Sequence, residues 1–243
     1  MPLIAGGVVL VAVLAGGGMY LSRGSAPAPA PAAASPAPAA PVAAAPAPAP
    51  EVAPAAPAGA SAATIDNKWL NELMTLAANN DWAGVQAQVG QAQPLVLAAK
   101  DKAAARQSNA QAITALRSGD AKAALPLLTQ ALEQDPGDAE IQNNLGYAYL
   151  LTGQLDEARQ HLLKTLQLAP MRAPAWVNTA DLFAQRGNEQ VAQAALKLAV
   201  FFATDRAKAL ASLSREDNLG HEKFKAVAKA VVSQADTIPS YKR

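Results

Sequence analysis

Residues 139–170 read AEIQNNLGYAYLLTGQLDEARQHLLKTLQLAP, and this stretch decides the fold. Larger apolar side chains recur at helical spacing on both sides of Gly153, so the stretch reads as two amphipathic helices. Gly153 falls where the first helix must end and the chain turn back, and a residue without Cβ suits the left-handed conformation of such a corner. Pro170 stops the second helix, because proline disfavours helical backbone in the residue before it.

Working outward, the pattern repeats with a period of 34: Gly119, Gly153 and Gly187; Ala124, Ala158 and Ala192; Leu128, Leu162 and Leu196; and Pro136 and Pro170, with Thr204 in the third slot. Three copies result, 105–138, 139–172 and 173–206, with helices expected at 105–118, 121–134, 139–152, 155–168, 173–186 and 189–203. Ala112, Gly146 and Ala180 in the first helices face the small residues Ala124, Ala158 and Ala192 in the second, which allows close approach. Leu128, Leu132, Tyr149, Leu162, Leu166, Phe183 and Leu196 fill the rest of the interface. One such hairpin cannot bury its apolar face alone, so the copies must stack as an all-α solenoid with capped ends.

The middle copy resembles the tetratricopeptide repeat family: Leu145-Gly146, Tyr149, Gly153, Ala158 and Pro170 stand at the family's pattern positions. Trp176 supplies the aromatic that the resemblance expects early in the third copy, whereas Ser108 and Gln142 stand at that place in the others. The resemblance implies a concave groove lined by the first helix of each copy. Carried over, the lining positions are Arg106, Asn109, Ile113, Leu116 and Arg117; then Glu140, Asn143, Asn144, Tyr147, Leu150 and Leu151; then Val177, Asn178, Asp181 and Gln185. Asn109, Asn143, Asn144 and Asn178 carry amides able to donate to and accept from an extended peptide backbone, and Tyr147 offers apolar area with a polar tip. Leu116, Leu150 and Leu151 have packing against adjacent helices as their alternative role. Family members that clamp a terminal carboxylate use paired Lys and Asn with a further basic residue; the matching places here hold Asn109 and Ile113, then Asn144, then Pro174 and Asn178, without the required cations, so carboxylate clamping is not expected.

The flanks differ in composition. Leu3 to Ser22 are 20 residues without an ionisable side chain, long enough at about 1.5 Å per residue to cross the roughly 30 Å hydrocarbon layer. Segment 1–23 is therefore expected to be a single transmembrane anchor; a cleaved signal peptide, the alternative, has a basic start and a shorter apolar core. Residues 24–64 hold 11 of the 18 prolines and are otherwise mostly Ala, which reads as a disordered, extended spacer rather than a ligand for a proline-binding domain. Residues 65–104 resemble a decayed repeat, with Trp69, Leu70, Leu73 and Leu76 on one helix, a break at Asn79-Asn80-Asp81 and a second helix from Trp82, forming an extra pair in front of the array. Pro94 then precedes a helical stretch expected to lead into the first repeat. In 207–243 the stripe Phe224, Val227, Ala228, Val231 and Val232 marks a capping helix, with Lys223, Lys225 and Lys229 as its solvated edge.

Chemistry is sparse. The chain has no Cys, which excludes disulfides, thiolate zinc sites and a cysteine nucleophile. His161 and His221 are the only imidazoles, and neither has a second ligand at metal spacing. Asp156-Glu157 falls at a helix start, where the helix dipole favours acids. No nucleophile elbow or phosphate loop occurs, so no catalytic, cofactor or metal site is expected. A net charge of +1 gives no reason to expect nucleic acid. The reading is a non-enzymatic scaffold for a protein or peptide partner, held at the bacterial inner membrane with its repeats on the periplasmic side, serving secretion, pilus or cell-wall assembly. A literal positive-inside count on Arg23 favours the alternative of a cytoplasmic-side adaptor for a chaperone or regulatory complex, and a self-associating structural module is a third.

Overall fold

The computed structural model describes residues 67–215 and 221–242; the expected anchor (1–23) and Ala/Pro spacer (24–64) lie outside the described residues. Among the described residues no helix is long and apolar enough to cross a membrane. They form α1 (Lys68–Ala78), α2 (Trp82–Gly90), α3 (Lys102–Arg117), α4 (Ala121–Gln134), α5 (Ala139–Leu151), α6 (Leu155–Leu168), α7 (Ala173–Gln185), α8 (Glu189–Phe202), α9 (Arg206–Leu213) and α10 (Glu222–Val232), with a short 3-10 turn at Ala235–Thr237.

The three expected hairpins are α3/α4, α5/α6 and α7/α8. Gly119, Gly153 and Gly187 occupy the same corner in each, with φ of 82°, 77° and 76°, a region where a Cβ would crowd the following carbonyl. Just beyond each corner the next helix starts on a polar or acidic residue. Asp120 and Asn188 accept N–H bonds of their helix's first turn, and α6 carries Asp156 and Glu157 there instead. Within the hairpins Ala112, Ala124, Ala158, Ala180 and Ala192 are fully buried. A Cβ at Gly146 would stand 2.8 Å from Leu162 Cγ, so the absent side chain at Gly146 is what seats Leu162. The largest fully buried side chains among the described residues are Trp176, Phe183 and Phe201 in the third copy; the Trp176 indole donates to the Pro170 carbonyl at 2.7 Å, joining copy three to the proline that closes copy two.

Two expectations about the N-terminal part need correction. The helical pair is present as α1 and α2, but it does not stand in front of the array. It packs on α8, in the last repeat. Trp82 stacks on Phe201 with ring centroids 5.0 Å apart and donates its indole N–H to the Thr237 carbonyl at 2.6 Å. Lys197, buried on α8, donates to Asn80 Oδ1 at 2.9 Å; Asn80 turns the pair with φ of 57°. Burial holds the Lys197 amine below its ordinary pKa.

The stretch after Pro94 is not helical. Residues 92–101 are non-helical and tie to the second-helix ends of two repeats: the Leu95 N–H donates to the Gln167 carbonyl at the end of α6, and the Lys100 and Asp101 N–H groups to the Gln134 carbonyl at the end of α4. A helix end leaves carbonyls without partners, and this strap supplies donors to them. It thus returns the chain from the last repeat to the first. Gly137, in the turn between α4 and α5, lies beneath it, since a Cβ there would meet the Leu97 carbonyl oxygen at 2.6 Å.

At the other end α10 packs on α7 and α8, burying Phe224, Val227, Ala228 and Val231 and leaving Val232 half-buried. The short helix α9 precedes it, so this cap is two helices where one was expected. Of the three lysines, Lys225 pairs with Glu222 at 2.6 Å and Lys223 reaches the Gln185 carbonyl at 3.5 Å. The C-terminal tail then closes over α8: the Tyr241 N–H donates to the Phe201 carbonyl, and Arg206 donates to the carbonyls of Ile238 and Ala235.

Candidate partner-binding groove

Successive first helices meet, α3 with α5 and α5 with α7, whereas α4 with α6 and α6 with α8 do not pair to the same extent. The array therefore bends with its first helices on the inside, and the 34-residue period lines equivalent side chains up across it.

The asparagines are spent on the array. Asn144 donates to Asn109 Oδ1 at 2.9 Å, and Asn178 donates to Asn143 Oδ1 at 3.1 Å, each 35 residues away on the neighbouring first helix. Asn109, Asn143 and Asn178 are buried, and only Asn144 is half-exposed. Asn109 also reaches Glu140 Oε1 at 3.5 Å, and Glu140 lies 3.6 Å from the Arg172 guanidinium. Glu140 thus ties copy one to the residue that directly precedes α7, and Arg172 is a cation that the family positions did not include. Its place directly before α7 is the signal that points to it.

Other expected lining residues divide by depth. Arg106 and Arg117 are exposed on α3, Ile113 is half-buried, Leu116, Leu150 and Val177 are buried, and Leu151 is exposed. The three residues of one register place, Ile113, Tyr147 and Asp181, run across the middle of the inner face. Burial and the neighbouring Asp181 charge push the Tyr147 phenol up to about 12. Burial likewise raises the Asp181 carboxyl, opposed by a hydrogen bond with Gln185 and by the charge of His221 at the start of α10. One oxygen of Asp181, Oδ1, is buried without a hydrogen-bond partner among the described residues. His221, unlike Gln185, was not among the expected groove residues.

The remaining histidine is structural: His161 Nδ1 lies 2.8 Å from Gln142 Oε1, and its ring stacks on Tyr149 at 5.5 Å. Burial holds it below the ordinary histidine pKa.

Residues 115–176 match the tetratricopeptide repeat family model. The match runs from the end of α3 through α4, α5 and α6 into the first turn of α7, about a quarter of the chain. It falls on the stretch whose corners, small-residue contacts and Trp176 anchor have just been described, and it supports a tetratricopeptide repeat protein. Repeats of this family mediate protein–protein interactions. No curated protein matches the chain.

Proposed function

We propose that the chain is a non-enzymatic scaffold that binds a protein or peptide partner across the inner face of its three repeats. The observation that carries this reading is the row Ile113, Tyr147 and Asp181 on adjacent first helices, flanked by Asn144 and the exposed arginines Arg106 and Arg117. The Asp181 carboxylate oxygen that is buried without a donor among the described residues is a group that a bound chain completes, and the half-buried Tyr147 beside it adds amphipathic contact area. The uncharged Leu3–Ser22 stretch and the Ala/Pro segment support a tethered role at the bacterial inner membrane, with the repeats periplasmic and serving envelope assembly.

Arg23 favours a second reading, an adaptor on the cytoplasmic side. A reporter fused to the C-terminus separates the two, since activity confined to the cytoplasm overturns the periplasmic assignment. For the groove, affinity capture with the full chain is compared between wild type, Tyr147→Ala and Asp181→Asn. Loss of the same captured protein in both variants supports groove binding, and an unchanged set overturns it.

A further inference from the structure

Away from the groove, a cavity of about 680 Å³ opens between the start of α1, the strap and the end of α6, within the size range of small-ligand pockets, roughly 300–1,000 Å³. Its walls are fixed by hydrogen bonds. The Leu95 N–H donates to the Gln167 carbonyl at 2.9 Å, holding the strap to α6, and the Pro170 carbonyl accepts from the Trp176 indole at 2.7 Å. A cavity built between elements held in this way needs little ordering when a ligand enters.

The lining combines aromatic carbon with free amides and holds no ion. Trp69 is half-buried, and its indole Nε1, the one polar atom of that side chain, is buried without a hydrogen-bond partner among the described residues. What the Trp69 side chain leaves accessible is therefore ring carbon. Asn67, Gln91, Gln93 and Gln167 also line the cavity. Asn67 Oδ1 caps α1 by accepting the Leu70 N–H, whereas the side chains of Gln91, Gln93 and Gln167 make no hydrogen bond among the described residues. Each of these carboxamides offers two donors and an acceptor. Every lining residue is uncharged, so a phosphate, a carboxylate or an ammonium group entering the cavity would lose water without meeting a counter-charge.

A pyranose ring complements this lining. Its faces carry C–H bonds that can cover indole carbon, and its edge carries hydroxyls that both donate and accept, as carboxamides do. An alkyl chain would cover Trp69 and Leu166 but leave the glutamine amides facing carbon. We infer that the cavity between α1, the strap and α6 is a binding site for an uncharged oligosaccharide, with Trp69 covering a ring face and Gln91, Gln93 and Gln167 bonding its hydroxyls.

The test follows the Trp69 indole resonance, assigned by its loss in Trp69→Phe, in the full chain in a detergent without a sugar headgroup. The probes are maltotriose, cellotriose, mannotriose and triacetylchitotriose, all uncharged. At least one of them is expected to shift the Trp69 signal saturably and to leave the Trp82 signal in place, whereas trigalacturonic acid, which carries carboxylates, leaves Trp69 unmoved. Gln91 and Gln93 are exposed, so Gln91→Ala together with Gln93→Ala is expected to keep the melting temperature. The same double variant is expected to raise the dissociation constant about tenfold, as the loss of two hydrogen bonds implies. A Trp69 signal indifferent to all four trisaccharides overturns the proposal. An equal response to trigalacturonic acid, or a response undiminished in the double variant, overturns it too, and a response to 1-octanol and to none of the saccharides assigns the cavity to apolar chains instead.

Discussion

The Asn178 amide donates to Asn143 Oδ1 at 3.1 Å, and both side chains are more than nine-tenths buried, so the bond ties copy two to copy three where water cannot substitute. Removing either partner strands the other. Asn143→Ala or Asn178→Ala is expected to cost about 1–3 kcal/mol, and the double variant less than the sum. Urea denaturation of the four proteins measures this, and strict additivity counts against the coupling.

Gly153 and Gly146 should respond to alanine for different reasons. At Gly153 a Cβ meets nothing within 4 Å, so Gly153→Ala suffers only from its φ of 77°, about 1–2 kcal/mol, and Gly153→Asn suffers less. Gly146→Ala gains about 1 kcal/mol of helix propensity, yet drives its methyl into Leu162 at 2.8 Å. Overpacking of this kind costs about 1–3 kcal/mol. A Gly146→Ala, Leu162→Val double variant is expected to recover stability relative to Gly146→Ala, with thermal melts as the readout.

Gly137→Ala is expected to lift the strap, because the clash is with a backbone carbonyl of Leu97 that no rotamer change relieves. Faster hydrogen exchange at the Leu95 and Lys100 amides, with α5 and α7 unchanged, is the expected pattern. Uniform exchange across the chain would contradict it.

Trp82→Ala removes both the Phe201 stack and the bond to the Thr237 carbonyl. For a half-buried indole the loss is expected at about 2–3 kcal/mol. Because the same residue holds the tail, limited proteolysis should cut first within 233–242 in the variant.

The pH dependence has a definite sign. Tyr147 keeps its proton in the folded chain up to about 12, against an ordinary value of 10.0. Its contribution is fully present below pH 10 and is lost as pH rises through 12, about 3 kcal/mol in all. Tyr147→Phe is therefore expected to flatten the decline in stability between those values. Asp181 is raised as well, so its contribution is present below the ordinary carboxylate range and lost as pH rises through the folded value. Asp181→Asn is expected to stabilise the chain at pH 7 and to match wild type near pH 3.

The repeats were legible because their determinants are local. Gly119, Gly153 and Gly187 sit at the corners they mark, and Pro136 and Pro170 end the helices they follow. Asn109, Asn143, Asn144 and Asn178 were visible as a recurring amide, but not as partners, because the bonds run 35 residues along the chain and depend on how far first helices approach. The seat of the N-terminal pair was illegible: Trp82 and Phe201 are 119 residues apart, and no periodicity connects them. The strap carries no helical or alternating pattern, and its order comes from the carbonyls of Gln134 and Gln167.

The strap also acts as a gauge of repeat number. Residues 92–101 cover at most about 33 Å, and in that length they must pass from a pair seated on the third hairpin to the start of the first. Inserting one more 34-residue unit would leave the strap too short unless the pair came off α8, and deleting one would leave it slack. Gain or loss of a hairpin, the usual currency of change in stacked arrays, is thereby coupled here to a segment outside the array.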